Sequence, residues 1–360
     1  MKKNCLIIIL CMALLLGCKW YFGEQRVETI QNKEENDNEQ EENSDTQEQD
    51  YIKWVDFDVT CEAMSKAYQY DLDTYTKEIH LDWVDLLAYL GAKYGGDFSK
   101  YKEKDMVKIA EALLSGEKTV EQLEEEMQYF SYYQEAYDAV LGGMVGEYEM
   151  ECPVNEKNSE MAGEETSTEW KKVYGLKAYH PIASGFPYSD YDDFGASRSY
   201  GYKRQHLGHD MMGQVGTPII AVESGYVAEL GWNQYGGWRV GINSFDGKRY
   251  YYYAHLRKDR PYAEGLEKGD IVQAGDVIGY LGRTGYSTEE NVNNIDEYHL
   301  HFGLQLIFDE SQRNGTNQIW VSGYELVNFL YKHRSTVQRN DETKEWTRVY
   351  QIKDPVVVLQ

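Results

Sequence analysis

From Gly175 to about Phe308, glycines cut the chain into short β-rich runs, and this pattern constrains the fold more than any other feature. The runs cover residues 218–222, 225–228, 238–242, 250–255 and 270–272, with turn signals at Asp246-Gly247, Lys268-Gly269 and Ala274-Gly275. Regular short strands joined by glycine turns predict an antiparallel sheet or sandwich. A helix around 324–333 is expected to pack on it.

The stretch before it, 51–150, has a different period. Thr119-Val120-Glu121-Gln122 reads as a capping box, and Val120, Leu123, Met127 and Phe130 follow at helical spacing until Gly142-Gly143. Asp105 is placed to cap a second helix through Ile109, Leu113 and Leu114. Residues 80–94, with Trp83, Leu87, Leu90 and Tyr94, predict a third. No catalytic constellation lies in this part, which reads as a helical pedestal or spacer. Residues 151–175 are polar and acidic and predict a linker. The fold class is therefore α+β: an N-terminal helical domain, then a predominantly antiparallel β domain over 176–340 with its C-terminal helix, then a tail over 341–360.

The amino terminus carries a separate signal. Lys2 and Lys3 precede an apolar run over 6–16, too short to span a bilayer comfortably, that ends in Leu15-Leu16-Gly17-Cys18. This resembles a bacterial lipobox, and the resemblance implies cleavage before Cys18, lipidation of Cys18 and anchoring to the outer face of the cell membrane. An ordinary signal peptide, giving a secreted protein, or a short membrane anchor are the other readings; all three place the body outside the cytoplasm. Residues 24–50 hold eleven acids against two bases with almost nothing apolar, which predicts a self-repelling disordered tether over 19–50. A net charge of −25 argues against nucleic acid and anionic lipid surfaces as partners. Of the five cysteines only Cys61 and Cys152 lie in the body; they are a possible single disulfide, and no CxxC thiolate site exists. The 32 tyrosines suit either strand positions or stacking on polar ligands such as glycans.

Five of the eight histidines fall after position 200 within the β-rich stretch. His206-Leu207-Gly208-His209-Asp210 sets an imidazole and a carboxylate four apart, with Gly208 free to turn the chain so that both meet one ion. In Tyr298-His299-Leu300-His301-Phe302, strand alternation points Tyr298, Leu300, Phe302 and Leu304 into a core and His299 and His301 into a cleft. Two adjacent imidazoles are costly to protonate together, which favours a metal or catalytic use. Tyr251, Tyr253 and His255 are expected to share one face of another strand.

The order HxxxD, a strand ending His255-Leu256, then HxH resembles the M23 family of zinc endopeptidases, the lysostaphin and LytM-like peptidases. Gly269-Asp270-Ile271-Val272-Gln273-Ala274-Gly275-Asp276-Val277-Ile278-Gly279 and Gly282-Arg283-Thr284-Gly285-Tyr286-Ser287 resemble two further family segments, so the likeness covers about 175–310. It implies one zinc ion per chain held by His206, Asp210 and His301, with His255 and His299 as non-ligand catalytic residues and His209 outside the ligand set. It also implies an activity, hydrolysis of peptide bonds in peptidoglycan. His80, His180 and His333 match nothing in the family and are read as structural. Two polar inserts, 187–199 and 288–298, are expected at the cleft rim, where loops set substrate choice. The competing expectations are a non-catalytic wall-binding module that activates or scaffolds other hydrolases, a lipoyl-like carrier domain, and a latent enzyme released by trimming to near Glu169.

Overall fold

The computed structural model describes residues 51–153, 168–200, 202–315 and 317–358. The expected leader, Cys18 and the acidic tether lie outside the described residues, as does the middle of the 151–175 stretch. Among the described residues no helix is long and apolar enough to cross a membrane.

Among the described residues five α-helices come first: α1 (Cys61–Thr74), α2 (Trp83–Tyr94), α3 (Glu103–Leu114), α4 (Val120–Glu126) and α5 (Phe130–Leu141). Local chemistry sets their ends. The Asp82 side chain accepts from Val84 N at the start of α2, and Gly95 closes it in the left-handed conformation. The Thr119–Gln122 capping box opens α4 as its sequence predicts.

Two expectations change here. Asp105 does not cap α3, which begins at Glu103; its carboxylate is held by Tyr94 Oη at 2.8 Å and Lys93 Nζ at 2.9 Å. The single helix implied by Val120, Leu123, Met127 and Phe130 is two. Glu124, Glu125 and Glu126 crowd negative charge at the carbonyl end of α4, where the helix dipole disfavours it. Met127 turns extended, and Phe130 starts α5 fully buried.

The β part is built on an antiparallel sheet in the order β11 (Ile271–Val272), β8 (Gly225–Asn233), β9 (Gly237–Ser244), β10 (Arg249–Ala254), β13 (His299–Leu306), β6 (His209–Met212) and β3 (Ser189–Asp190), with β14 (Ile319–Val321) pairing the far half of β13. Two short pairs complete this region: β4 (Ser197–Tyr200) with β5 (Tyr202–Gln205), and β7 (Pro218–Ile220) with β12 (Val277–Tyr280). A four-residue helix α6 (Ser311–Asn314) and then α7 (Tyr324–Leu330) follow β13.

Strand β13 shows why HxH sits where it does. Leu300, Phe302, Leu304 and Leu306 are buried on one face, so the odd positions take the other. Tyr298 departs from the expectation; it precedes the strand and is exposed, with Arg283 over its ring.

The helices cover the core face of this sheet and share one continuous core with it. Tyr68 and Trp83 from α1 and α2 meet Phe329 of α7 at ring distances of 5.8 and 5.6 Å. Arg249, on the core face of β10, is buried and donates to both Glu223 oxygens at 2.7 and 3.0 Å. Its third nitrogen donates to the Ala139 carbonyl of α5 at 2.9 Å, one of the carbonyls a helix end leaves without an internal partner. The helical part is thus the back wall of the sheet rather than a spacer.

The described ends of the 151–175 stretch, 151–153 and 168–175, are paired strands rather than linker. They carry the end of β1 (Val145–Pro153) and most of β2 (Thr168–Leu176), which pair antiparallel from Val145↔Leu176 to Pro153↔Thr168. Nor are residues 341–360 a loose tail. They supply β16 (Trp346–Arg348), which pairs β15 (Val337–Arg339), then β17 (Ile352–Lys353), which adds to β1, and α8 (Pro355–Val358). Asp354 forms a buried pair with Lys177 at 3.0 Å. Cys61 and Cys152 are both free thiols, so the possible disulfide is not formed.

Candidate metal centre and active site

Asp210 and His301 are direct partners across the β6–β13 ladder, both on the face away from the core. His206 lies in the turn between β5 and β6, and Gly208 lets that turn close. A Cβ at 208 would stand 2.5 Å from the His301 ring, so any side chain there would displace it. The result is a tight triangle. His206 Nε2 lies 3.0 Å from Asp210 Oδ1 and 3.0 Å from His301 Nδ1, and His301 Nδ1 lies 2.9 Å from Asp210 Oδ1. Among the described residues this is the group of three side chains whose donor atoms converge closely enough to hold a metal ion. Tetrahedral zinc, with bonds of about 2.0–2.1 Å, separates its ligands by roughly 3.3 Å, so two imidazole nitrogens and a carboxylate oxygen at these distances fit the ion.

The electrostatics agree with that chemistry. Burial pushes the Asp210 carboxyl up, but hydrogen bonds from His206 and His301 outweigh it and hold it well below the usual carboxylate range. Burial lowers His206, yet the Asp210 carboxylate reverses the sign and raises it. His301 is lowered by burial, which Asp210 only partly offsets.

His255 and His299 stand beside the triangle. Their rings are 4.7 Å apart, and His255 is 5.8 Å from His301 between ring centroids. His255 Nδ1 donates to the Thr284 carbonyl at 2.9 Å and His299 Nδ1 to the Glu297 carbonyl at 3.0 Å. In the neutral ring each of these bonds puts the proton on Nδ1, so that Nε2 is the atom with the lone pair. His299 Nε2 reaches to 3.7 Å from Asp210 Oδ1. Burial and the neighbouring His299 and His301 push His255 well below its ordinary value, so it is a neutral base.

The route by which His255 arrives differs from the expectation. Tyr251 and Tyr253 face the core, and a continuing strand would send His255 there too. Strand β10 stops at Ala254, and His255 takes φ 62°, a left-handed turn that throws its ring onto the cleft side. His209, on the core side of β6, hydrogen-bonds Asp190 Oδ2 at 2.8 Å. His180 is buried against Tyr188, His333 stacks on Tyr179, and His80 meets Asp71 at 3.1 Å, all away from the cluster.

Several neighbours support the site, some from the Gly282–Ser287 segment and others, such as Arg204 and Asp193, with no local sequence signature. Thr284 Oγ1 donates to the Leu256 carbonyl at 2.6 Å and accepts from Trp238 N at 3.1 Å, which holds the carbonyl that fixes His255. Arg204 lies over the rings of Tyr286 and Tyr235 at 4.9 and 5.2 Å and walls the cleft beside His255. Asp193 Oδ1 stands 3.0 Å from His206 Nδ1. Beyond His301 the same sheet face continues as a groove of about 540 Å³ lined by Tyr226, Tyr250, Tyr252, Arg239, Arg313 and Trp320. The 288–298 insert sends the Asn291 side-chain oxygen to Trp238 Nε1 at 2.8 Å and Asp259 N at 2.9 Å.

Comparison with known proteins bears on the same region. The sequence model of Peptidase family M23 matches residues 204–318. The L-Ala–D-Glu endopeptidase of Bacillus subtilis (strain 168) is 36% identical over 146 residues, 38% of this chain and 43% of that protein. Lysostaphin of Staphylococcus staphylolyticus is 40% identical over 98 residues, 27% of this chain and 18% of that protein. A crystal structure of a Ruminococcus gnavus protein aligns with a TM-score of 0.49 at 24% identity, covering 76% of this chain and 88% of that one. The chain spans less than half the length of the curated relatives it matches.

Proposed function

We propose that this protein is a zinc-dependent endopeptidase that hydrolyses peptide bonds in peptidoglycan stem peptides or cross-links. The observation that carries the reading is the convergence of His206 Nε2, Asp210 Oδ1 and His301 Nδ1 within about 3 Å of one another, beside two histidines whose Nδ1 atoms donate to backbone carbonyls. His206, Asp210 and His301 would hold one zinc ion. When bound, zinc supplies Lewis acidity, polarising the scissile carbonyl and lowering the pKa of water towards ~7.

The remaining chemistry belongs to the chain. His255 and His299 present Nε2 lone pairs, with Nδ1 held by carbonyls. They are placed to take a proton from the attacking water and return it to the departing amine nitrogen. In protonated form they donate to the oxyanion of the tetrahedral state. Desolvation of His255 keeps it unprotonated before attack. The polar, aromatic groove beyond His301 suits an extended substrate carrying both charge signs.

Relatives named L-Ala–D-Glu endopeptidase and glycyl-glycine endopeptidase support peptidoglycan peptides as the substrate class. The Leu15-Leu16-Gly17-Cys18 signal supports an anchor at Cys18 and a site of action on the outer face of the membrane. Release of new amino termini from purified peptidoglycan, blocked by a chelator and restored by zinc, is the expected result. No release by full-length protein across several wall types would replace the enzyme with a binding module.

A further inference from the structure

The geometry points to Asp193 as a positioning residue for the metal ligand His206, with Arg198 as its counter-charge. The inference rests on the reading that His206 binds zinc, and it assigns the 187–199 insert a role at the metal rather than in substrate choice.

A histidine that ligates through Nε2 must carry its proton on Nδ1, and the acceptor of that proton fixes the ring plane and strengthens the ligand. The acceptors beside His206 Nδ1 both belong to Asp193: its backbone carbonyl at 3.4 Å and its carboxylate Oδ1 at 3.0 Å, the latter off the hydrogen-bond axis. That Oδ1 is a buried oxygen with no hydrogen-bond partner. A small rotation of the ring or carboxylate satisfies it, and a metal on Nε2 would favour the rotation because it locks the proton onto Nδ1.

The insert also grips His206 through its backbone. Gly195 N donates to the His206 carbonyl at 2.7 Å, and His206 N donates to the Ala196 carbonyl at 2.8 Å. Ala196 N in turn donates to the Asp193 carbonyl at 3.0 Å, a turn that brings the Asp193 side chain back over the ring. Arg198, from the first strand of the β4–β5 hairpin, pairs with Asp193 Oδ2 and stands 3.7 Å from Asp210 Oδ2. One guanidinium therefore faces both carboxylates and offsets part of their charge beside the site.

The test is zinc affinity in full-length protein, measured by competition with a chromophoric chelator, alongside thermal unfolding of the zinc-free form. Asp193→Ala is expected to weaken zinc binding about 10- to 100-fold, as loss of such a partner does elsewhere. Asp193→Asn, which keeps an acceptor without the charge, is expected to lose less, and Arg198→Ala several-fold. Wild-type zinc affinity in Asp193→Ala, with only the zinc-free stability lowered, would make Asp193 a structural residue and overturn the inference. Should that variant not fold, the Asn variant decides, and wild-type affinity in it has the same meaning. A wild-type protein that binds no stoichiometric zinc would instead bring down the functional reading beneath both.

Discussion

Asp210 and His301 face each other across one rung of the β6–β13 ladder, with Oδ1 2.9 Å from Nδ1. Two of the three proposed ligands are therefore set by strand register, the least adjustable element of a sheet. Either His301→Ala or Asp210→Asn is expected to abolish stoichiometric zinc binding and peptidoglycan cleavage together while leaving the fold in place. Metal analysis of the purified variants checks this, and full zinc occupancy in His301→Ala would remove it from the ligand set.

His255 touches no proposed ligand atom; its bonded partner is the Thr284 carbonyl. His255→Ala is expected to keep zinc and lose at least ~100-fold in kcat, the range associated with general acid–base groups. An active His255→Ala enzyme would strike His255 from the mechanism.

Arg249 offers a test far from the cleft. Arg249→Met leaves Glu223 buried with only the Tyr251 hydroxyl as donor and frees the Ala139 carbonyl, so a loss of about 3–5 kcal/mol is expected. Urea denaturation measures it, and pairing with Glu223→Gln should recover part. By the same logic a chain beginning at Glu169 exposes the part of the core face that α1–α5 cover and is expected to aggregate rather than gain activity. A soluble, folded and more active short form would show that the helices restrain the enzyme.

His180 makes acid sensitivity measurable outside the metal site. Burial pushes it down to about 3, with Arg334 and His209 adding to the effect, against an ordinary value of 6.5. The unfolded chain therefore binds a proton that the folded one refuses. Stability from this residue is complete above pH 6.5 and falls as the pH drops towards 3, at up to about 1.4 kcal/mol per unit. His180→Asn should be weaker at pH 7 yet flatter by about one proton between pH 6 and 4. Parallel unfolding profiles for the two proteins would refute this.

What the sequence made legible follows from which interactions are local. HxxxD and HxH encode their geometry within five and three residues, and the Thr119 capping box encodes its helix within four. Strand β2 is largely exposed and polar, so no apolar alternation marks it; β1 does alternate, with Tyr148, Met150 and Cys152 against Glu147, Glu149 and Glu151, but it lies within an acidic stretch, and its second partner β17 is some 200 residues on. His255 was placed on the wrong face because alternation assumes that the strand continues, and one left-handed residue breaks that assumption. Asp193 reaches His206 only through a turn and a hairpin, a proximity that spacing alone does not encode.

That left-handed residue has an implication for how the sequence can drift. A side chain held at φ 62° costs the backbone about 1–2 kcal/mol relative to glycine, and asparagine tolerates the conformation better than most residues. Position 255 is therefore a point where selection for heat resistance and selection for turnover pull apart. A lineage released from the need to cut its substrate would be drawn towards glycine or asparagine there while its sheet stayed intact. An inactive descendant of this fold would then be recognised first by the residue that follows Ala254.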